Sequence, residues 1–188
     1  MPTQDGGRSI GRLVTVRTVL NDPPEPVRSW LERRQALGQD LYDEVWEGVY
    51  HVAPAPHPAH GYLDDQLAGL LRPHAREAGL YGSGPLNVGD PDDYRVPDRA
   101  YTRGRATSTF VPSVVVAVEI VSPHDETWQK LDFYFAHGIE EMLIVDPRSR
   151  EVHLLVRGED GFEPAARSRL LGVGVPELHA AIDWPPVE

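Results

Sequence analysis

The sequence predicts an α/β (α+β) domain in which a central mixed β-sheet is flanked by helices. Three observations carry that expectation. Helix-period and strand-like segments follow one another in the order helix, strands, helix, strands, which places helices on both faces of a mixed sheet. Val114 to Val121 (VVVAVEIV) is apolar on both faces, the pattern of a central strand covered on each side. Leu63, Leu67, Leu70 and Leu71 recur at helical spacing and make one buried stripe. At 188 residues the chain can bury a substantial core as one domain, without disulfides or a structural metal.

Residues 1–40 read as an N-terminal arm and residues 41–188 as the main domain. In the arm, Met1 to Gly7 is polar and expected to fray, and Arg12 to Leu20 (RLVTVRTVL) is β-branched and suits a short strand. Asn21 to Pro26 is a proline-rich break. Pro26 then suits the first turn of a helix running to about Leu37, with Val27, Trp30, Leu31 and Leu37 on its apolar side and Gly38 as its stop.

In the main domain, Val45 to Val52 (VWEGVYHV) reads as a strand with a turn or bulge at Gly48. A helix is expected from about Ala59 to Glu77, with Pro73 kinking it or ending it early. Glycine-rich Gly79 to Val88 and the turn Asp90 to Asp93 (DPDD) separate short strands. Tyr94 to Tyr101 reads as the next strand, and Gly104 to Val111 as a loop. Beyond the central strand, Asp125 to His137 is a helix with Trp128, Leu131 and Phe135 on one face, ended by Gly138. Glu141 to Val145 and Glu151 to Val156 are strands joined by the β-turn Asp146–Pro147–Arg148–Ser149. The tail from Leu170 to Ile182 adds a turn or short helix.

The 18 basic and 29 acidic residues give a net charge of −11. That balance argues against gripping nucleic acid or anionic membrane over the whole surface, so nucleic-acid contact needs a local basic surface. Cysteine is absent, which removes disulfide scaffolds, thiolate zinc sites and cysteine nucleophiles together. No apolar run approaches the ~18–20 residues a membrane-spanning helix needs. Met1 to Leu20 lacks a basic region followed by an apolar block, so the expectation is a cytoplasmic protein with no membrane partner.

Glu119 is the most informative residue. It interrupts the strand most suited to burial on both sides, where a carboxylate must be protonated, paired with a base or bound to a cation. A salt-bridged or partly exposed strand-end glutamate is the plainer alternative, because Ser122–Pro123 ends the strand nearby. Asp98 stands in Arg95–Val96–Pro97–Asp98, where alternation puts Val96 and Ala100 on its face. Two acidic residues at the ends of adjacent strands, followed by a helix carrying Lys130, form a recognisable set. Carboxylates ~4 Å apart repel by roughly 4 kcal/mol at an effective dielectric of about 20. A divalent cation removes that penalty, and all-oxygen ligation favours Mg²⁺ or Mn²⁺ over zinc. Lys130 would then orient water or stabilise charge on a phosphate oxygen, unless it is an ordinary solvated helix lysine.

Other constellations are weaker. His57 and His60 lie in HPAH, where Pro58 spoils the helical spacing that a zinc pair wants. Gly79, Gly82, Gly84 and Gly89 precede no Gly–Lys–Ser/Thr, and Ser83 and Ser122 have no nucleophile elbow. Arg95, Arg99 and Arg103 alternate away from Asp98 along one strand face, with Arg105 beyond. They suit a solvated surface, a dimer contact or a phosphate-binding edge. Asp146 reads as a turn former.

The segment PSVVVAVEIVSPHDETWQKLDFYFAHGIEEMLIVDPRSREVHLL resembles the Uma2 family (DUF820) of restriction-endonuclease-like proteins. The shared pattern is an apolar strand with Glu–x–x–Ser–Pro, a helix carrying Lys and Tyr, and a strand ending Val–Asp–Pro. Upstream, YDEVWEGVYHVAPAPHPAHGYLDDQLAGLL resembles the family's first strand and helix, and YRVPDRAY its Pro–Asp strand. The resemblance runs from about Leu41 to Ile182.

What the resemblance implies is a PD-(D/E)xK nuclease fold, with Asp98 and Glu119 as metal ligands and catalytic residues. In the wider superfamily the lysine lies two residues after the glutamate. Here that residue is Val121, and Lys130 on the next helix matches the lysine usual in Uma2 proteins. Glu47 matches the acidic residue of the family's Asp/Glu–Gly turn, either as a further metal ligand or as a hairpin-turn glutamate. His60 matches a histidine often found in the family, which implies a role near the substrate channel. The implied function is a Mg²⁺- (or Mn²⁺-) dependent endonuclease acting on nucleic acid, with DNA the favoured substrate. The alternatives are a nuclease-fold binding or regulatory module without catalysis, and a small zinc hydrolase using His57 and His60. Self-association into a homodimer is expected, with the arm either contributing to the interface or packing on its own sheet.

Overall fold

The computed structural model describes residues 18–122 and 126–186. The expected fraying of Met1 to Gly7, most of the Arg12–Leu20 strand and the start of the Asp125–His137 helix lie outside those residues. In chain order the elements are β1 (Thr18–Leu20), α1 (Glu25–Ala36), β2 (Glu44–Trp46), β3 (Val49–Val52), α2 (Pro58–Glu77), β4 (Tyr81–Ser83), β5 (Asn87–Asp90) and β6 (Asp93–Arg95). There follow β7 (Arg99–Thr102), β8 (Phe110–Val111), β9 (Val116–Ile120), a 3₁₀ turn (Thr127–Lys130), α3 (Leu131–Ala136), β10 (Glu141–Asp146), β11 (Glu151–Arg157), β12 (Phe162–Pro164) and α4 (Val175–Ala181).

The strands form two mixed sheets of six, where the sequence suggested one. Their orders are β1-β3-β2-β6-β5-β8 and β12-β11-β10-β9-β7-β4. The second is the central sheet of the expectation. Its β9 is buried at every residue and runs parallel to β10, with helices on both faces. Alternation divides β9 between two cores. Val116, Val118 and Ile120 join Leu63, Leu67 and Leu71 of α2 and Leu178 of α4, whereas Ala117 joins Phe133 and Tyr134 of α3. Each fully buried leucine of the α2 stripe contributes about 1.5–3 kcal/mol. The helix continues through Pro73 to Glu77, so the proline neither ends nor shortens it.

The division into two sheets happens inside the segment expected to be one strand. Tyr94 pairs with Val45 and Gly89 in the first sheet, whereas Arg99 to Tyr101 pair with β9 in the second. Pro97, which has no N–H to donate to a ladder, lies in the crossing. The three arginines therefore do not line one common face. Arg95 is buried over the rings of Trp46 and Phe133, Arg99 pairs with Asp64, and Arg103 pairs with Glu140 at the surface.

The expected strand 45–52 is a hairpin, β2–β3, turning through Glu47 and Gly48 at φ 49° and 82°. Positive φ at both positions is a type I′ turn, which matches the twist of the flanking strands. Gly89 is required by contact: a Cβ there would lie 2.3 Å from Asp93 O and 3.0 Å from Phe133. The helix after β9 turns a different face inward from the one expected. Thr127, Lys130, Phe133 and Tyr134 are buried and Trp128 is half exposed, because β9 offers this helix a polar anchor as well as an apolar surface. The Asp146 turn forms as expected, its Oδ1 accepting from the N–H groups of Arg148 and Ser149 at 2.8 and 3.3 Å.

Candidate active site

Asp98 and Glu119 meet through register. β7 and β9 are antiparallel, with Ala100 opposite Ala117 and Arg99 opposite Val118. Asp98 immediately precedes Arg99 and Glu119 follows Val118, so the two carboxylates come near enough for the Asp98 charge to act on Glu119. Asp98 Oδ2 accepts the Ile120 N–H at 2.7 Å, which ties the two strand ends together. Its Oδ1 lies 3.0 Å from His60 Nε2 on the first turn of α2. Both carboxylates are buried, Asp98 at 8% and Glu119 at 3% exposure.

The 3₁₀ turn and α3 add the cation and a phenol. Lys130 Nζ donates to Glu119 Oε1 and Oε2 at 3.0 and 3.2 Å, and Tyr134 Oη donates to Glu119 Oε1 at 2.6 Å. Lys130 and Tyr134 are four apart, so one helical turn puts both on the same side. Burial pushes the Glu119 carboxyl above the ordinary glutamate range; the Lys130 ammonium opposes this, and the Asp98 and Glu44 carboxylates add to the rise. Burial, then the Glu119 charge, holds the Tyr134 phenol well above its usual range, so it stays a donor.

Of the residues singled out in the sequence, Asp98, Glu119 and Lys130 converge. Glu47 does not join them: its side chain is exposed at the tip of the β2–β3 hairpin, and its N–H donates to Asp93 Oδ1. The acid that reaches Lys130 from that hairpin is Glu44, with Oε1 2.8 Å from Nζ. Glu44 was missed, although an acidic residue leading a short strand, two before a tryptophan, places both on one face. His57 and His60 part company: His57 Nδ1 accepts the Ala59 N–H as the N-cap of α2, while His60 turns to Asp98. Val121 packs against the α3-side core, and its N–H donates to Val145 O.

A second acid stands at the rim. Asp64 faces Arg99 at 3.1 Å, and burial raises its carboxyl above the usual range. Tyr42 lies in the same field, its phenol raised by burial and by the Asp98 and Asp64 charges.

Among the described residues no three His, Asp or Glu side chains gather to hold a metal by themselves. Two carboxylates from neighbouring strands nevertheless suit Mg²⁺ or Mn²⁺, which are commonly held by one or two carboxylates with water and substrate phosphate completing the shell. The charge balance points the same way. Glu44, Asp98 and Glu119 set three acids against one lysine, with His60 paired to Asp98.

Residues 31–180 match the model of the Uma2 family, described as "Putative restriction endonuclease". Among solved structures, the chain is similar to a "putative nuclease belonging to DUF820" from Anabaena variabilis. That match has a TM-score of 0.60 at 15% identity and covers 74% of this chain and 90% of the other, which establishes a shared fold. No curated protein matches the chain.

Proposed function

From the premise that this chain belongs to the Uma2 family, we propose that it is a metal-dependent endonuclease that hydrolyses phosphodiester bonds, with DNA the favoured substrate. The observation that carries the reading is the proximity of Asp98 to Glu119, with Asp98 bonded to the Ile120 N–H beside it and Lys130 against Glu119. Asp98 and Glu119 would hold Mg²⁺ or Mn²⁺, which would supply divalent charge facing the scissile phosphate. Tyr134 and Lys130 orient the Glu119 carboxylate, and Ile120 N–H and His60 orient that of Asp98. Lys130 also brings a positive charge to the point where charge builds on the phosphate oxygens.

One observation favours a second reading. The Lys130 ammonium already bridges Glu119 and Glu44, which gives the buried acids a counter-charge without a metal. On that reading the chain is a nuclease-fold binding or regulatory module. Cleavage assays on plasmid and single-stranded DNA, beside a Mg²⁺/Mn²⁺ calorimetric titration of the same sample, separate the two. The nuclease reading expects divalent-dependent cleavage that chelation stops, and saturable metal binding without cleavage would favour the module.

Association into a homodimer is part of the proposal. Val19, Trp30, Leu37, Leu41 and Tyr50 expose apolar surface on the arm and on the β1–β3 side of the first sheet. In that sheet β1 pairs with β3, so the arm packs on its own domain while leaving this surface outward. No helix among the described residues is long and apolar enough to cross a membrane.

A further inference from the structure

Lys130 is the only lysine in the chain, the other 17 of its 18 Lys and Arg residues being arginine. Only 3% of its side chain is exposed. It ends a 3₁₀ turn and does not stand on a strand, so sheet register does not aim it at Glu119. A flexible four-carbon stem ending in a compact ammonium needs a second fixed point to keep one position. Glu44 provides it. The 2.8 Å contact from Nζ to Glu44 Oε1 is closer than the 3.0 and 3.2 Å contacts to Glu119.

Glu44 is held in turn. The Val96 N–H donates to its Oε1 at 2.9 Å, and the Trp46 indole N–H donates to its Oε2 at 2.8 Å. Glu44 and Trp46 are two apart on β2 and so share a face. The Trp46 ring stacks on His51 at 4.3 Å and meets the Arg95 guanidinium at 4.4 Å. That guanidinium also lies 4.1 Å from the Phe133 ring of α3, the helix that continues directly from Lys130. The contacts close a loop: the β2–β3 hairpin grips α3 through Arg95 and grips the lysine through Glu44. Both oxygens of Glu44 are committed to these donors, which suits anchoring and not ligation of a metal.

We propose that Glu44 is a positioning residue that fixes the Lys130 ammonium against Glu119, with Trp46 fixing Glu44. The effect on catalysis rests on the nuclease reading, whereas the anchoring itself does not. Because the chain has one lysine, ¹⁵N labelling yields a single side-chain ammonium resonance, and its proton exchange reports directly on the anchor. In metal-free protein near neutral pH, Glu44→Gln should speed exchange at Lys130 Nζ at least tenfold while the backbone spectrum keeps its folded dispersion. Trp46→Phe retains an aromatic ring but loses the indole donor, so it should shift exchange the same way by a smaller factor; it also serves if Glu44→Gln fails to fold. Exchange within twofold of the native protein in the folded variants overturns the proposal.

Activity supplies the second arm. Under single-turnover Mn²⁺-dependent cleavage, Glu44→Gln should lower the maximal rate at least tenfold with little change in the substrate concentration dependence. The Glu44→Gln/Lys130→Ala double variant should be no slower than Lys130→Ala alone. Additive losses, or a tenfold fall in Mn²⁺ affinity with Lys130 exchange unchanged, would make Glu44 an independent site residue and overturn the proposal. A native protein that cleaves nothing counts against the nuclease reading, and the exchange arm still decides the role of Glu44.

Discussion

Asp98 accepts the main-chain N–H of Ile120 at 2.7 Å, so one carboxylate of the site is bonded to the strand that carries the other. Asp98→Asn keeps an acceptor for that N–H and removes the charge. The fold should hold, and Mn²⁺ affinity by calorimetry should fall at least tenfold. Asp98→Ala leaves the buried N–H unpaired and should cost a further ~1–3 kcal/mol in urea denaturation. Unchanged metal affinity in both variants would remove Asp98 from the ligand set.

Glu119→Gln should abolish metal binding and change the pH dependence of stability. The folded state holds the Glu119 pKa above its ordinary 4.5, so the protonated form favours the fold. That contribution is fully present below the ordinary value and is lost as pH rises through the folded one. Denaturation of metal-free protein from about pH 5 to about pH 9 should therefore show Glu119→Gln gaining on the native chain as pH rises. A gap that narrows in that direction would mean that Lys130 and Tyr134 hold the ionised carboxylate favourably.

Lys130→Met should be among the most damaging single changes. It leaves Glu44 and Glu119 buried without their shared cation, and breaking a buried pair from one side costs about 3–5 kcal/mol. The loss is read as a lower urea midpoint at unchanged slope. A midpoint close to native would show that the two acids are already neutral in the folded protein.

Glu47→Asn should stabilise the chain by roughly 0.5–1 kcal/mol, because asparagine accepts positive φ in a type I′ turn more readily than glutamate. Metal affinity should not move, since the Glu47 side chain is exposed at the hairpin tip. A fall in affinity would restore Glu47 as a ligand.

Light scattering at micromolar concentration should give about twice the 20.9 kDa chain mass. Trp30→Ser with Leu37→Ser removes apolar surface from the exposed patch and should shift the protein toward monomer. A native monomer would end the dimer proposal.

The central strand, the α2 stripe and the Asp146 turn are legible in the sequence because each is a local pattern: apolar on both faces, leucines four apart, an aspartate before proline. Asp98 and Glu119 are legible for a related reason. A carboxylate interrupting an apolar strand must be compensated, wherever the strand ends up. Local pattern thus placed most of the helices and the central strand, and it pointed to Asp98, Glu119 and Lys130 as a set. Only the tertiary structure decided that Tyr94 to Tyr101 divides between two sheets at Pro97, that Trp128 faces outward, and that Glu44, not Glu47, reaches Lys130. Those facts depend on which hairpin meets which helix. A side chain's spacing along its own element says which way it points, and only packing says what is waiting there.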